Sequence, residues 1–151
     1  MIVSNVFSTE IDVAGLDREF VRVDIEFHEI DHSGASFEGR VFLNNDRADE
    51  RTDRSIENGY AGSFYIFGHG GCYGDEGHCD VVSRRRYDPR PAHPLTPARK
   101  VVIATDAIRR ALQADHAKVL LTVVPIVTSL NEKCSAEDIL RFDHVRISTY
   151  R

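Results

Sequence analysis

Two clusters of side chains in this sequence have the types and spacing that chemistry uses. The first is His28-Glu29-Ile30-Asp31-His32, which matches the string in which two histidines four apart hold a zinc ion while an adjacent glutamate activates water, as in a zinc hydrolase. That arrangement belongs to a helix, where residues i and i+4 stand one above the other. The second is the run Gly68 to Asp80, which gathers His69, Cys72, His78 and Cys79 with Asp75 and Glu76. Thiolate and imidazole ligands suit zinc or copper, and a His-x-x-Cys step lets both side chains reach one ion. Three readings of this loop stand open: a metal site for copper delivery or for stapling the loop, a Cys72–Cys79 disulfide, or free buried thiols. With Cys134 the cysteines number three, an odd count for a disulfide framework.

Other candidates are plainer. Arg84-Arg85-Arg86 reads as a solvated patch on an acidic chain. His93 precedes Pro94, which holds it extended in a spacer. Cys134 sits in a polar stretch beside Asn131 and Glu132 with no base next to it. No Ser/His/Asp order, phosphate-binding loop or dinucleotide fingerprint is present.

The elements that must position these residues are mostly strands. From Phe20 to His28, Val21, Val23, Ile25 and Phe27 alternate with Arg22, Asp24, Glu26 and His28, a period of two that predicts a strand with one wet face. On such a strand His28 and His32 share a face but stand about 13 Å apart, too far for one metal. The turn residues His32 to Ser36 lead into a second strand at Phe37 to Leu43, and Tyr60 to Phe67 reads as another. Asn44 to Asn58 is polar and charged, an exposed loop. Five glycines between Gly68 and Asp80 break regular structure, and Ser83 to Pro97 carries four of the five prolines as a long extended connection.

Lys100 to Ala104 is a β-branched run. Thr105-Asp106 then starts a helix whose Ile108, Ala111 and Leu112 fall at i, i+3 and i+4. Lys118 to Thr128 and Leu140 to Thr149 complete the strands, the last with a bulge near Asp143 because Val145 and Ile147 are out of phase with Leu140 and Phe142. About six or seven strands, one short helix and long loops predict an all-β antiparallel β-sandwich forming a single domain over residues 1–151.

Composition sets the outer bounds. The chain has 151 residues, 42% hydrophobic and 28% charged, with 19 basic against 24 acidic side chains and a net charge of −5. This is enough to bury a core and argues against disorder. A net acidic chain is a poor non-specific partner for nucleic acid. Apolar runs such as Val119 to Val127 fall short of the roughly 20 residues of a membrane span. Met1 to Phe7 lacks the basic and apolar regions of a secretory signal, which predicts the cytoplasm.

The stretch Leu95 to Val127, with Leu-Thr-Pro-Ala-Arg-Lys-Val-Val-Ile-Ala-Thr-Asp-Ala-Ile-Arg-Arg-Ala-Leu followed by Val-Leu-Leu-Thr-Val-Val-Pro-Ile-Val, resembles the C-terminal domain of type 3 copper proteins, the tyrosinase, polyphenol oxidase and molluscan haemocyanin family in a bacterial version. Phe37 to Leu43 and Tyr60 to Gly68 look like two earlier strands of the same domain. The resemblance implies a β-sandwich packed over the dicopper site of a tyrosinase or catechol oxidase domain, with copper held by that partner. It implies an apolar plug at Phe42 or Leu43. The family's copper ligands are sets of three histidines per metal on helices of a separate domain. This chain has seven histidines and no predicted helix to carry them, so the resemblance implies the accessory part and not the catalytic one.

Overall fold

The computed structural model of the chain describes residues 2–3, 6–69, 86–87, 96–127 and 139–151. Its strands are β1 (Ile2–Val3), β2 (Phe7–Asp12), β3 (Arg22–Ile30), β4 (Phe37–Leu43), β5 (Tyr60–Ile66), β6 (Ala98–Ile103), β7 (Lys118–Val127) and β8 (His144–Tyr150), with one helix, α1 (Thr105–Ala114), between β6 and β7. A single 3₁₀ turn at Ile56–Asn58 precedes β5. All pairings are antiparallel. One sheet runs β1-β7-β4-β5, with β2 also paired to β7, and the other runs β6-β3-β8. This is the all-β sandwich with one short helix that the strand periodicities predict.

The two sheets meet through alternate residues. Val23, Ile25 and Phe27 of β3 face Val41, Phe64, Leu121 and Val123 of the opposite sheet in one continuous buried cluster. Phe27 is fully buried at its centre, with its ring 4.6 Å from Phe64 and 5.5 Å from Phe142, and Phe7 joins Phe142 at 4.7 Å. Room for Phe64 comes from Gly39 on the neighbouring strand, where a Cβ would stand 2.4 Å from the ring.

The helix begins at Thr105, one residue earlier than a Thr105 N-cap would start it. Ala104 occupies the N-cap without a side-chain hydrogen bond. The Thr105 hydroxyl instead accepts the Val23 backbone N–H at 3.1 Å, which ties the first turn to β3. Ile108, Ala111 and Leu112 are buried as their spacing predicts, and Ala107 joins them.

Three expectations change. Two N-terminal strands, β1 and β2, add to the expected set, and in β2 Phe7, Thr9 and Ile11 are half-buried between exposed Ser8, Glu10 and Asp12. The second face of β3 is not wet, since Asp24 and Glu26 are 4% and 5% exposed. The segment before β8 breaks at Asp143, and the strand starts at His144. Asp143 N–H still donates to His28 O and Asp31 N–H to Arg141 O. Leu140, Phe142, Val145 and Ile147 therefore all pack on the core despite their phase change. The facing irregularity lies on β3, where its register to β6 shifts between Phe27 and Ile30 and Glu29 takes φ 56°.

Candidate functional site

Two histidine pairs form where β3 ends. The residues His28, Glu29 and His32 do not make a zinc-hydrolase site, because His28 and Glu29 lie in a strand and not in a helix. The chain turns through the bulge at Glu29 and sends the two imidazoles to different neighbours. His28 stacks on His144 of β8 with ring centroids 4.6 Å apart and planes 5° apart. His32 meets His69, which follows β5, with the two Nδ1 atoms 3.2 Å apart.

The first pair belongs to a polar network on the outer face of the β6-β3-β8 sheet. The period of two that sends Val23, Ile25 and Phe27 inward sends Arg22, Asp24, Glu26 and His28 outward. Arg22 forks onto Asp24 through Nε at 2.7 Å and Nη2 at 2.9 Å, and its guanidinium lies 5.7 Å from the Tyr150 ring. Glu26 takes Arg99 Nη2 at 2.9 Å on Oε1 and His28 Nε2 at 3.0 Å on Oε2. Burial pushes the Glu26 carboxyl up, but the hydrogen bonds from Arg99, His28 and Ser148 outweigh it and hold the group below the ordinary glutamate range. His144 in turn pairs with Asp143 through Nδ1 at 2.8 Å.

Such a network buries acidic groups only because each is matched, and its work is structural. A carboxylate whose folded pKa is depressed stabilises the fold fully above its unfolded pKa, and that contribution disappears as pH falls through the folded value. Glu26→Gln is therefore expected to cost about 1–2 kcal/mol near neutral pH. The cost shrinks as pH falls through the depressed folded value, where wild-type Glu26 is itself protonated. Urea unfolding midpoints followed from neutral into acid pH check this.

At the second pair, His32 Nε2 donates to the Thr96 carbonyl at 2.7 Å, and His69 N–H donates to the His32 carbonyl at 2.9 Å. Asp31, next to it, is already engaged. It accepts Ser33 N–H and Oγ–H at 2.9 and 2.6 Å and faces Arg141 at 3.1 Å. Burial raises the Asp31 pKa, and the Ser33 hydrogen bonds, Arg141 and His32 lower it further than that, leaving it below the ordinary aspartate range.

Of the loop residues expected to bind metal, only His69 is among the described residues. Cys72, His78 and Cys79 lie outside them, as do Asp75, Glu76, Arg84, Arg85, His93 and Cys134. Among the described residues no group of three or more His, Cys, Asp or Glu side chains gathers at a point that suits a metal ion. Sequence reasoning placed His32 and His69 in different motifs and missed their meeting, because it depends on how the sandwich sets the chain leaving β3 against the chain leaving β5, a strand of the opposite sheet.

Phe42 and Leu43, expected as the plug, are both buried. Leu43 lies in the main core with Val41, while Phe42 belongs to a small second cluster with Ala48, Val124, Tyr60 and Ile126. The loop after β4 covers it, held by Arg40 Nη1 on Glu50 O at 3.1 Å and Asn45 Nδ2 on Asn58 O at 2.8 Å. That loop, read as exposed, thus carries one buried residue, Ala48. At the other end of the β4–β5 pair, Tyr65 and Phe67 stand in solvent, at 61% and 81% exposed.

A cleft of 290 Å³ separates the 3₁₀ turn from α1, lined among others by Asn44, Asn45, Asn58, Ala107 and Arg110. Its described lining holds no histidine, cysteine or serine and a single carboxylate, Glu57, so no nucleophile stands beside a base there.

The class these observations define is an antiparallel all-β sandwich of two sheets with one short helix. Comparison with known proteins places this fold beside polyphenol oxidases. A latent aurone synthase (polyphenol oxidase) from natural source matches with a TM-score of 0.57 and 16% identity, over 96% of this chain and 24% of that one. Recombinantly expressed latent aurone synthase (polyphenol oxidase) matches at 0.54 with 14% identity, over 96% and 24%. The same protein co-crystallised with hexatungstotellurate(VI) matches at 0.57 with 14% identity, over 97% and 24%. No protein-family model and no curated protein sequence matches the chain. At these identities the likeness is one of fold, and the chain spans about a quarter of the length of those structures.

Proposed function

We propose that this chain is a non-catalytic accessory domain that associates with a type 3 copper oxidase domain or subunit and covers its dicopper site. The observation that carries the reading is the match of nearly the whole chain to one quarter of a latent polyphenol oxidase. The histidine distribution supports it. Helix α1, the one helix among the described residues, carries no histidine, so it does not supply the helical histidine sets that the resemblance assigns to the oxidase domain.

A covering domain must offer apolar surface to a neighbour, since exposed aromatic side chains anchor interfaces. Tyr65 and Phe67 alternate onto one side at the end of β5, an edge strand of its sheet. They are the aromatic side chains placed to reach into a partner's pocket, where Phe42 and Leu43 are held inside their own fold. An apolar side chain so placed excludes water and phenolic substrate without adding a ligand.

Mixing the purified chain with the helical dicopper domain of a polyphenol oxidase from the same organism tests the reading. A complex is expected on size exclusion, weakened at least about tenfold by Phe67→Ser, as for the loss of an aromatic anchor. Separate elution of the two proteins at micromolar concentration overturns it.

A further inference from the structure

We infer that His32 and His69 form a chelating pair for one divalent cation of the zinc or copper class. The inference does not rest on the accessory role, and either can fail without the other.

The argument starts from proton positions. The Thr96 carbonyl can only accept, so His32 Nε2, 2.7 Å from it, carries the proton. In a neutral ring this leaves a lone pair on His32 Nδ1, and the facing Nδ1 of His69 must then be the donor across 3.2 Å. His32 is thereby held in the tautomer that binds metal through Nδ1. Donation of the other ring N–H to a backbone carbonyl is the support that metal-ligating histidines use to fix ring orientation and raise basicity.

The spacing agrees with that role. For two imidazole nitrogens 3.2 Å apart, metal–nitrogen bonds of about 2.0–2.1 Å give a nitrogen–metal–nitrogen angle of about 100–106°, close to tetrahedral. A cation replaces the shared proton at Nδ1 of His69, which moves to Nε2 of the same ring, so the exchange between neutral rings needs no net proton release. The pair is also fixed at the backbone, through His69 N–H on the His32 carbonyl. Both side chains are half-buried and reachable from solvent. Asp31 is committed to Ser33 and Arg141, so the two imidazoles define the site. Imidazole pairs of this kind favour zinc, copper and nickel over calcium or magnesium.

This joins a member of the Gly-rich loop to a member of the His-Glu-x-x-His-like string, a combination that neither motif contains. The test uses the full 151-residue chain, titrated with Zn²⁺ by calorimetry against a competing chelator and with Co²⁺ by absorption. One equivalent of each ion is expected, with the Co²⁺ spectrum of a tetrahedral site. His32→Gln and His69→Gln should each weaken binding by at least about 10–100-fold, the range already seen when only outer-shell partners of a ligand are lost. On the wild-type chain, ¹⁵N spectra of the imidazoles should show the Nδ1 resonances of both residues moving with Zn²⁺, a readout independent of how the variants fold. Three results overturn the inference: no stoichiometric Zn²⁺, unchanged affinity in His32→Gln, or movement of the ring resonances of neither histidine. Loss of binding in Cys72→Ser with full retention in both histidine variants overturns it as well, and assigns the metal to the loop cysteines.

Discussion

Phe27→Ala lowers the stability of the chain by about 3–5 kcal/mol, the range for deleting a fully buried aromatic side chain. Phe27 has no exposed surface and sits where three parts of the fold meet: β3 itself, β5 through Phe64, and the segment before β8 through Phe142. Phe142 in turn reaches Phe7 of β2, so one ring links both sheets to the N-terminal strand. Truncation removes the transfer free energy of the ring and leaves a cavity that paired strands on both sides cannot collapse to fill. Because a domain of this size has only about 5–15 kcal/mol of net stability, the variant is expected to be partly unfolded under mild conditions. Denaturant unfolding followed by circular dichroism measures the loss, and a change below about 1 kcal/mol contradicts the packing described.

Gly59→Ala is the second large effect, about 2–4 kcal/mol, and its origin is backbone rather than side chain. Gly59 ends the 3₁₀ turn with φ 82°, a left-handed conformation that costs an L-residue energy. A Cβ there would stand 2.1 Å from the Leu43 carbonyl oxygen. That oxygen cannot step aside as a flexible side chain would, because Leu43 is itself held by its N–H on the Gly59 carbonyl at 2.8 Å. The substitution therefore pries apart the point where the loop after β4 closes over Phe42. It should expose the small cluster of Phe42, Val124 and Tyr60, so increased binding of a hydrophobic dye is expected beside the lowered unfolding midpoint. Wild-type stability in this variant contradicts the close approach.

The strands that alternate cleanly were legible in the sequence, because a period of two survives whatever the strand packs against. Phe20 to His28 is the clearest case, and its Val23, Ile25 and Phe27 are fully buried in β3. The helix was legible for the same reason, its buried stripe at Ile108, Ala111 and Leu112 following the helical period. What periodicity could not supply was the partner of each polar residue. Glu26 reads as solvent-facing beside His28, yet Arg99, 73 residues further along the chain, reaches across from β6 and covers it. Phe42 and Leu43 stand at the plug position that the family resemblance implies, and both are buried. Ala48 and Tyr60 cover the first, and the irregular register between Val41 and Phe42 returns Leu43 to the core side. His28 and His32 look like one motif, and the bulge at Glu29 sends them to His144 and His69. Long-range pairing decides all three, and single-sequence spacing does not encode it.

We propose that the chain acts by covering a copper site held by another domain. Catechol oxidation by the isolated dicopper domain, followed while this chain is titrated in, tests it most directly. A saturable fall in turnover is expected as the complex forms, and no oxidation by the copper-reconstituted chain alone. Turnover that stays constant through a stoichiometric excess of the chain, or catechol oxidation by the chain by itself, contradicts it.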